Sequence, residues 1–312
     1  MSNYLITGGA GFIGSNIVET LIQQGESVRV LDNLSTGKPS NLEDFNACID
    51  FIKGDICDLS VVREAVEGVD YVLHQAALPS VGRSVANPIA TNEANVTGTL
   101  NMLIAARDAD VKRVVYACSS SVYGNSEILP KKESMPPNPL SPYAISKYTG
   151  EQYCKVFHKL YGLETVALRY FNVFGRRQNP NSQYAAAIPI FINSFLVGKP
   201  PIVFGDGEQS RDFTFVENVV EANLMACRVE GAAGEVFNIA FGQRTTINSL
   251  VRMIKEMIGS DIEPVYKEER KGDVRHSQAD ISKARKILGY EPKVDLEIGL
   301  ERTFEWLRHC QR

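Results

Sequence analysis

Tyr4-Leu5-Ile6-Thr7-Gly8-Gly9-Ala10-Gly11-Phe12-Ile13-Gly14 is a short apolar run, then a glycine turn, then the start of an amphipathic stretch that continues to residue 24. In that order it predicts a strand, a tight turn and a helix opening on the turn. Glycine permits the sharp turn and a close approach to the backbone, while the first helical amides and the positive end of the helix dipole face an incoming anion. The expected anion is the pyrophosphate of a dinucleotide, held around Gly8, Gly11, Phe12 and Ile13. Alone, such a turn is also an ordinary strand-to-helix connection, so its context decides.

The context repeats the pattern. Apolar runs at 28–31, 51–53, 71–75 and 114–117 alternate with amphipathic stretches at 59–66 and 91–108. Short runs rich in Val, Ile and Tyr, separated by helices, predict a doubly wound α/β fold on a parallel sheet. Asp32 closes the second run, where a carboxylate accepts both adenosine ribose hydroxyls and repels a phosphate, which favours NAD over NADP. Lys38 nearby reads as a solvated charge. Asp55 is placed beside the adenine pocket, and Asp58 reads as a helix N-cap.

Beyond residues 168–171 the texture changes. Residues 176–183 are polar, Lys199-Pro200-Pro201 breaks the chain, and Gly205-Asp206-Gly207 marks a turn. The expected division is a dinucleotide-binding domain over 1–174 and a smaller α/β substrate lobe over 175–312. A run at 235–240 is expected to return to the main sheet, with a helix near 213–256.

The chain has 312 residues and a net charge of −4. No broad basic surface follows, which argues against nucleic acid or an anionic membrane as partner. Six cysteines lie far apart and there are only four histidines. That spacing fits reduced thiols in the cytoplasm and neither a metal site nor a disulfide framework. The first strand begins almost at Met1, leaving no room for a targeting peptide, and no apolar run approaches the roughly 20 residues of a membrane span.

A second constellation carries chemistry. Ser141 is placed to cap a helix, Pro142 suits its first turn, and Tyr143 and Lys147 then share one face. Ser119-Ser120-Ser121 precedes them. An alcohol loses hydride readily when its proton leaves in the same event, so a base is needed. A Tyr143 phenolate serves if its pKa falls, and a cation one turn away at Lys147 is expected to lower it. One serine of the triplet would bridge the phenol and the substrate hydroxyl.

These motifs together resemble the extended short-chain dehydrogenase/reductase superfamily over nearly the whole chain. Thr7 through Gly14, Asp32-Asn33-Leu34, His74-Gln75-Ala76-Ala77, Ser119 through Gly124, Tyr143-x-x-x-Lys147 and Arg169 through Gly175 match in order. Within it the chain is similar to nucleotide-sugar 4-epimerases, nearest to those acting on UDP-N-acetylglucosamine, through Asn179-Pro180-Asn181, Tyr184-Ala185-Ala186 and Gly272 through Ser277. The resemblance implies bound NAD, a transient 4-keto sugar, and Tyr143, Lys147 and Ser119 as the catalytic group. It also implies cofactor contacts from Asn33, Ser35, Thr36, Gly37, Ile56, Gln75, Ala76, Ala77 and Tyr170. For the UDP-sugar it implies Ser80, Ser120, Ser121 and Asn172, with Ala186, Ile188, Val203 and Phe204 further on. Arg211 and Arg270 would take the phosphates, Asp273 the uridine ribose, and Phe213 would join Phe204 beside the uracil. A homodimer through helices at 91–108 and 142–161 is the implied assembly.

Related chemistries separate at the serine triplet. Dehydratases resemble one another in carrying Asp-Glu after the catalytic Thr, and decarboxylases carry a Glu two residues after it; here Ser120 and Ser121 stand in those positions. A UDP-glucuronate 4-epimerase, a dehydrogenase that releases its cofactor, and a non-catalytic NAD-binding regulator stay open. Ser277 occupies a position where glucose-restricted relatives place a bulky Tyr, so the resemblance implies room for an N-acetyl group.

Overall fold

The computed structural model describes residues 1–180, 186–269 and 274–310. β1 (Asn3–Thr7) leads into α1 (Phe12–Gln23), and β2 (Ser27–Asp32) and β3 (Ile49–Lys53) follow. α2 (Leu59–Val66) precedes β4 (Tyr71–His74), with Asp58 accepting the Ser60 amide at 2.9 Å as its cap. Then come α3 (Val81–Ala86), α4 (Pro88–Asn92), α5 (Gly98–Asp108) and β5 (Arg113–Ser119). The stretch expected as one helix over 91–108 starts earlier, at Pro88, where Asn87 caps the Ala90 amide. A π-helical turn, Glu93–Thr97, joins α4 to α5.

α6 (Pro142–Tyr161) is a 20-residue helix whose cap is Ser141, accepting the Ala144 amide at 3.1 Å, and which stops at left-handed Gly162. It is followed by β6 (Glu164–Tyr170), β7 (Val173–Phe174), α7 (Ala187–Leu196) and the short strands β8 (Ile202–Phe204), β9 (Ser210–Arg211) and β10 (Thr214–Phe215). The chain ends with α8 (Val216–Arg228), β11 (Val236–Ile239), β12 (Thr245–Thr246), α9 (Ile247–Ile258), β13 (Val265–Lys267), α10 (Ser282–Leu288) and α11 (Leu296–Cys310).

Seven strands form one parallel sheet in the order β11-β6-β5-β4-β1-β2-β3. Its central strands are mostly buried, because helices cover both faces: α1 packs with α8, and α5 packs with α2 and α6. Tyr4, Leu5 and Ile6 of β1 are fully enclosed. The order in which strands are added to the sheet reverses at β1, with β2 and β3 on one side and β4 on the other, and such a switch opens a crevice at the carboxyl ends of these parallel strands. The run at 235–240 is β11, which pairs in parallel with β6 from Val236↔Ala167 to Ile239↔Tyr170. Three two-stranded pairs, β7 with β10, β9 with β12 and β8 with β13, lie beyond this sheet.

Candidate active site

The glycine turn sits at the crevice. Gly8 has φ +68°, and a Cβ there would lie 2.8 Å from the Ala76 backbone, so the turn and the end of β4 touch through main chain alone. A Cβ on Gly14 would come 2.2 Å from the Gly8 carbonyl, which makes this glycine the condition for α1 to sit on the turn. Gly11 is the N-cap and offers no side-chain acceptor, so no cap side chain occupies the amides of the first turn, including those of Phe12 and Ile13. Asp32 is buried, accepting the Ala10 amide at 3.0 Å and the Leu34 amide at 2.8 Å. Burial raises its pKa while those two amides lower it. A carboxylate has about four lone-pair sites, so acceptor capacity remains for two hydroxyls.

Around this core, Gly37 approaches Ala10 and Asp32 so closely that a Cβ would meet both within 3.0 Å. Asn33 donates to Asp55 at 2.8 Å and accepts the Ser35 amide at 3.0 Å, and Thr36 is exposed. Ile56 is buried under Gly98. The Ala76 amide donates to Thr7 Oγ1 at 3.2 Å, and Ala77 is half-buried beside it. Gln75 and Tyr170 meet one another: the Tyr170 hydroxyl lies 3.2 Å from Gln75 Oε1 and 3.0 Å from Asn223 Oδ1, and Gln75 Nε2 donates to Asn223 at 3.0 Å. The turn, the uncapped amides and a buried carboxylate with spare acceptor sites fit NAD.

Sequence reasoning missed Asn223, which reaches this network from α8, an element far away in the chain. It also missed Asn95. The π-helical turn aims the Asn95 side chain at the loop after β4, where it accepts the Leu78 amide at 2.7 Å and donates to the Leu78 carbonyl and to Ser146 of α6. That loop carries Ser80, whose φ is 95° and whose hydroxyl caps α3 through the Arg83 amide.

The Ser-Tyr-Lys group forms where β5 ends against α6. Hydrogen bonding by the Ser119 side chain is the influence that pulls the Tyr143 phenol down, and Ser119 Oγ accepts the Ser121 amide at 3.1 Å. This singles out Ser119 from the triplet as the phenol's partner. Ser120 is half-buried, and the Ser121 hydroxyl is buried with no hydrogen-bond partner. The expectation that Lys147 acidifies Tyr143 is corrected. Burial pushes the phenol up to about 12, the Ser119 hydrogen bond is the opposing influence, and the Cys118 thiol adds to the rise. The cause is placement: Lys147 Nζ donates to the Ala117 carbonyl at 2.8 Å and stands 5.0 Å from the Tyr116 ring centroid. Burial also lowers the Lys147 ammonium to about 8.

Behind this group lies a buried ion pair. Arg169 of β6 donates twice to Glu151 of α6, both at 2.8 Å, and both side chains are enclosed. Glu151 also meets Cys118 Sγ at 3.4 Å, so α6 is tied to the strand that carries Ser119.

The expected substrate residues gather around β9 and β10. Asn172, at φ 33°, donates to the Asp212 carbonyl at 3.3 Å. Arg211 donates to the carbonyls of Ser210 and Arg275 at 3.0 and 3.3 Å. Phe213 is buried edge-on against Phe174, and Phe204 is half-buried in β8. Val203 and Ile188 are core residues, Ala186 is exposed, and the Ser277 amide donates to the Ser210 carbonyl at 3.0 Å. Arg270 and Asp273 lie outside the described residues, as do Asn181, Tyr184, Ala185 and Gly272 of the motifs. Among the described residues no cluster of His, Cys, Asp and Glu is arranged to hold a metal ion, and no helix is long and apolar enough to cross a membrane.

The chain is similar to known proteins in sequence and fold. Residues 4–240 match the NAD dependent epimerase/dehydratase family. A UDP-glucose 4-epimerase of Mycolicibacterium smegmatis is 38% identical over 309 residues, spanning 98% of each chain. Among solved structures, a UDP-N-acetylglucosamine 4-epimerase from Methanobrevibacter ruminantium M1, in complex with UDP-N-acetylmuramic acid, superposes with a TM-score of 0.95 at 43% identity, covering 99% of both chains. A UDP-glucose 4-epimerase from Thermotoga maritima, with UDP-glucose, gives a TM-score of 0.95 at 42% identity over 99% of this chain and 100% of its own.

Proposed function

The chain belongs to the NAD dependent epimerase/dehydratase family, and from that premise we propose that it is a UDP-sugar 4-epimerase. Its pairs are UDP-GlcNAc with UDP-GalNAc and, in the same pocket, UDP-Glc with UDP-Gal. The observation that carries the reading is Ser119 as the hydroxyl that lowers the Tyr143 phenol, with serines, not carboxylates, at the next two positions. Dehydration and decarboxylation draw on carboxylates at the two positions after Ser119, where Ser120 and Ser121 stand here and supply neither an acid nor a base.

Bound NAD supplies reversible hydride transfer at carbon 4, and Gly8, Gly11, the first amides of α1 and Asp32 are the residues that would hold it. Tyr143 receives the proton of the sugar's 4-hydroxyl on its phenolic oxygen and returns it to the oxygen of the 4-keto sugar once that sugar has rotated about its diphosphate link, so that hydride would come back to the opposite face of carbon 4. Ser119 bridges that hydroxyl and the phenol, fixing the direction of transfer. Lys147, anchored on Ala117, contributes positive charge to a buried site where ionising a phenol near 12 is otherwise costly. Asn172, Arg211 and Ser277 line the wall on which the diphosphate and sugar rest, and Arg270 and Asp273 are assigned to the phosphates and the uridine ribose. The small side chain of Ser277 leaves volume for an acetamido group.

We further propose a homodimer through the helical stretch at 91–108, which runs from the end of α4 through α5, and α6 over 142–161, with Ile89 beside the first and Ile145, Val156 and Leu160 on the second as exposed apolar side chains. The division into a domain over 1–174 and a lobe over 175–312, and a cytoplasmic location, complete the reading.

The test is incubation of the purified protein with each UDP-sugar, without added cofactor, and separation of the 4-epimers. Epimers should form with no build-up of NADH, and Tyr143→Phe should abolish their formation. Stoichiometric NADH would instead indicate a dehydrogenase, and turnover confined to UDP-glucuronate would reassign the substrate.

A further inference from the structure

Asp212 is a fully enclosed carboxylate on the segment between β9 and β10. Its Oδ1 accepts the amides of Phe241 at 3.2 Å and Gly242 at 3.1 Å, and its Oδ2 accepts those of Gly242 at 3.2 Å and Ala279 at 3.0 Å. These amides come from two separate stretches: the loop after β11 and the segment before α10. Burying a carboxylate is costly and pushes Asp212 up to about 7, while the backbone amides of both stretches pull it back down and are the partners that hold it there.

What those stretches carry gives the carboxylate its consequence. The Asp212 carbonyl receives the Asn172 side chain at 3.3 Å. Arg211 and Phe213 are its immediate neighbours. Two residues before it, the Ser210 carbonyl holds the Ser277 amide at 3.0 Å, and the Ser210 hydroxyl meets His276 Nδ1 at 2.8 Å. Asp212 therefore grips the 275–279 segment at Ala279, while Ser210 grips it at Ser277.

We infer that Asp212 is the positioning residue of the UDP-sugar wall, a carboxylate that sets Asn172, Arg211 and Ser277 relative to one another without touching the ligand. This rests on the UDP-sugar reading above. An asparagine has the same shape, but its NH₂ would face an amide donor in place of an acceptor. The loss should fall on UDP-sugar binding and leave the NAD side, built by β1, α1 and Asp32, unaffected.

The experiment measures UDP binding by calorimetry, KM and kcat, and co-purified NAD for the wild type and Asp212→Asn. Roughly tenfold or more weakening of UDP and a matching rise in KM are expected, about 1.4 kcal/mol or more, with kcat and NAD content kept. Unchanged UDP affinity in the variant overturns the assignment alone, and so does a parallel loss of NAD and thermal stability, which marks a general structural role. Failure of the wild type to bind UDP overturns the function reading and this inference together. Should the variant not fold, hydrogen exchange on the wild type decides, because coupling between sites is reciprocal. Adding UDP must slow exchange of the Phe241, Gly242 and Ala279 amides, and no change there rejects the role.

Discussion

Lys147 Nζ donates to the main-chain oxygen of Ala117 at 2.8 Å, two residues before Ser119, so β5 holds both the ammonium and the hydroxyl that accompany Tyr143. The cation is set by the strand and not by the phenol. Its burial lowers it to about 8, which places loss of its charge just above neutral pH.

Turnover and the Lys147 contribution to stability should therefore move in opposite directions with pH. Between about 8 and the ordinary lysine value of 10.5 the unfolded chain binds the Lys147 proton more tightly than the folded one. Lys147 should add to the unfolding free energy across that window, while the raised thiols of Cys57, Cys118, Cys154 and Cys227 act with the opposite sign as pH approaches and passes 9.0, so the Lys147 share is read as the difference between wild type and Lys147→Met. Turnover should fall as the ammonium discharges. Lys147→Met should lose turnover and remove that share of the slope, read by denaturant titration at several pH values; a variant with the wild-type slope would reject the assignment.

Gly14→Ala should remove NAD. The added methyl would lie 2.2 Å from the Gly8 oxygen and 2.8 Å from the Gly9 Cα, and neither backbone atom can swing away. Forcing α1 off the turn should cost roughly 1–3 kcal/mol and strip the cofactor during purification. Retention of wild-type NAD content would show that the helix start is not the pyrophosphate seat.

The buried pair Glu151–Arg169 should be far more sensitive to losing one partner than to losing both. Glu151→Gln leaves an enclosed guanidinium without its counter-charge, at a cost of about 3–5 kcal/mol. The double change Glu151→Leu with Arg169→Met should recover much of that, as thermal melts would report. A double variant no more stable than the single one would refute the electrostatic account.

These residues show where the sequence is legible. Local signals gave the glycine turn, the Asp58 and Ser141 caps, and the strand at 235–240, because each follows from spacing within a few residues. Asn95, Asn223 and Asp212 carry no such signal. Each acts across a separation of 17 residues or more, so only the closed fold brings Leu78, Tyr170 or Ala279 to them. The expected acidification of Tyr143 failed for a related reason: sharing a helix face with Lys147 does not say which acceptor the flexible ammonium finds.

His74 should drive acid unfolding. Its Nδ1 lies 2.7 Å from Thr7 Oγ1 and its Nε2 3.0 Å from Thr99 Oγ1, and burial, with a contribution from the Lys147 charge, lowers it to about 3. The unfolded chain takes up this proton below 6.5, while the folded chain resists until about 3. Stability should thus decline by about 1.4 kcal/mol per pH unit through that interval from this residue alone. Replacing it by His74→Asn should remove this part of the slope in denaturant titrations, and an unchanged slope would assign acid lability elsewhere.

Ser277→Tyr should separate the two substrate pairs. Ser277 is half-buried, and its amide is fixed to the Ser210 carbonyl while Ala279, two residues on, is fixed to Asp212, so the backbone cannot retreat to admit a larger side chain. The tyrosine ring must then take volume from the sugar pocket, and the acetamido group on carbon 2 is the part of the substrate that needs it. Turnover of UDP-GlcNAc should fall by roughly 10–200-fold, the scale at which a pocket rejects excess bulk, with UDP-Glc spared. Equal losses for both sugars would mean that the ring disturbs the wall as a whole, and equal retention would mean that the acetamido group lies elsewhere.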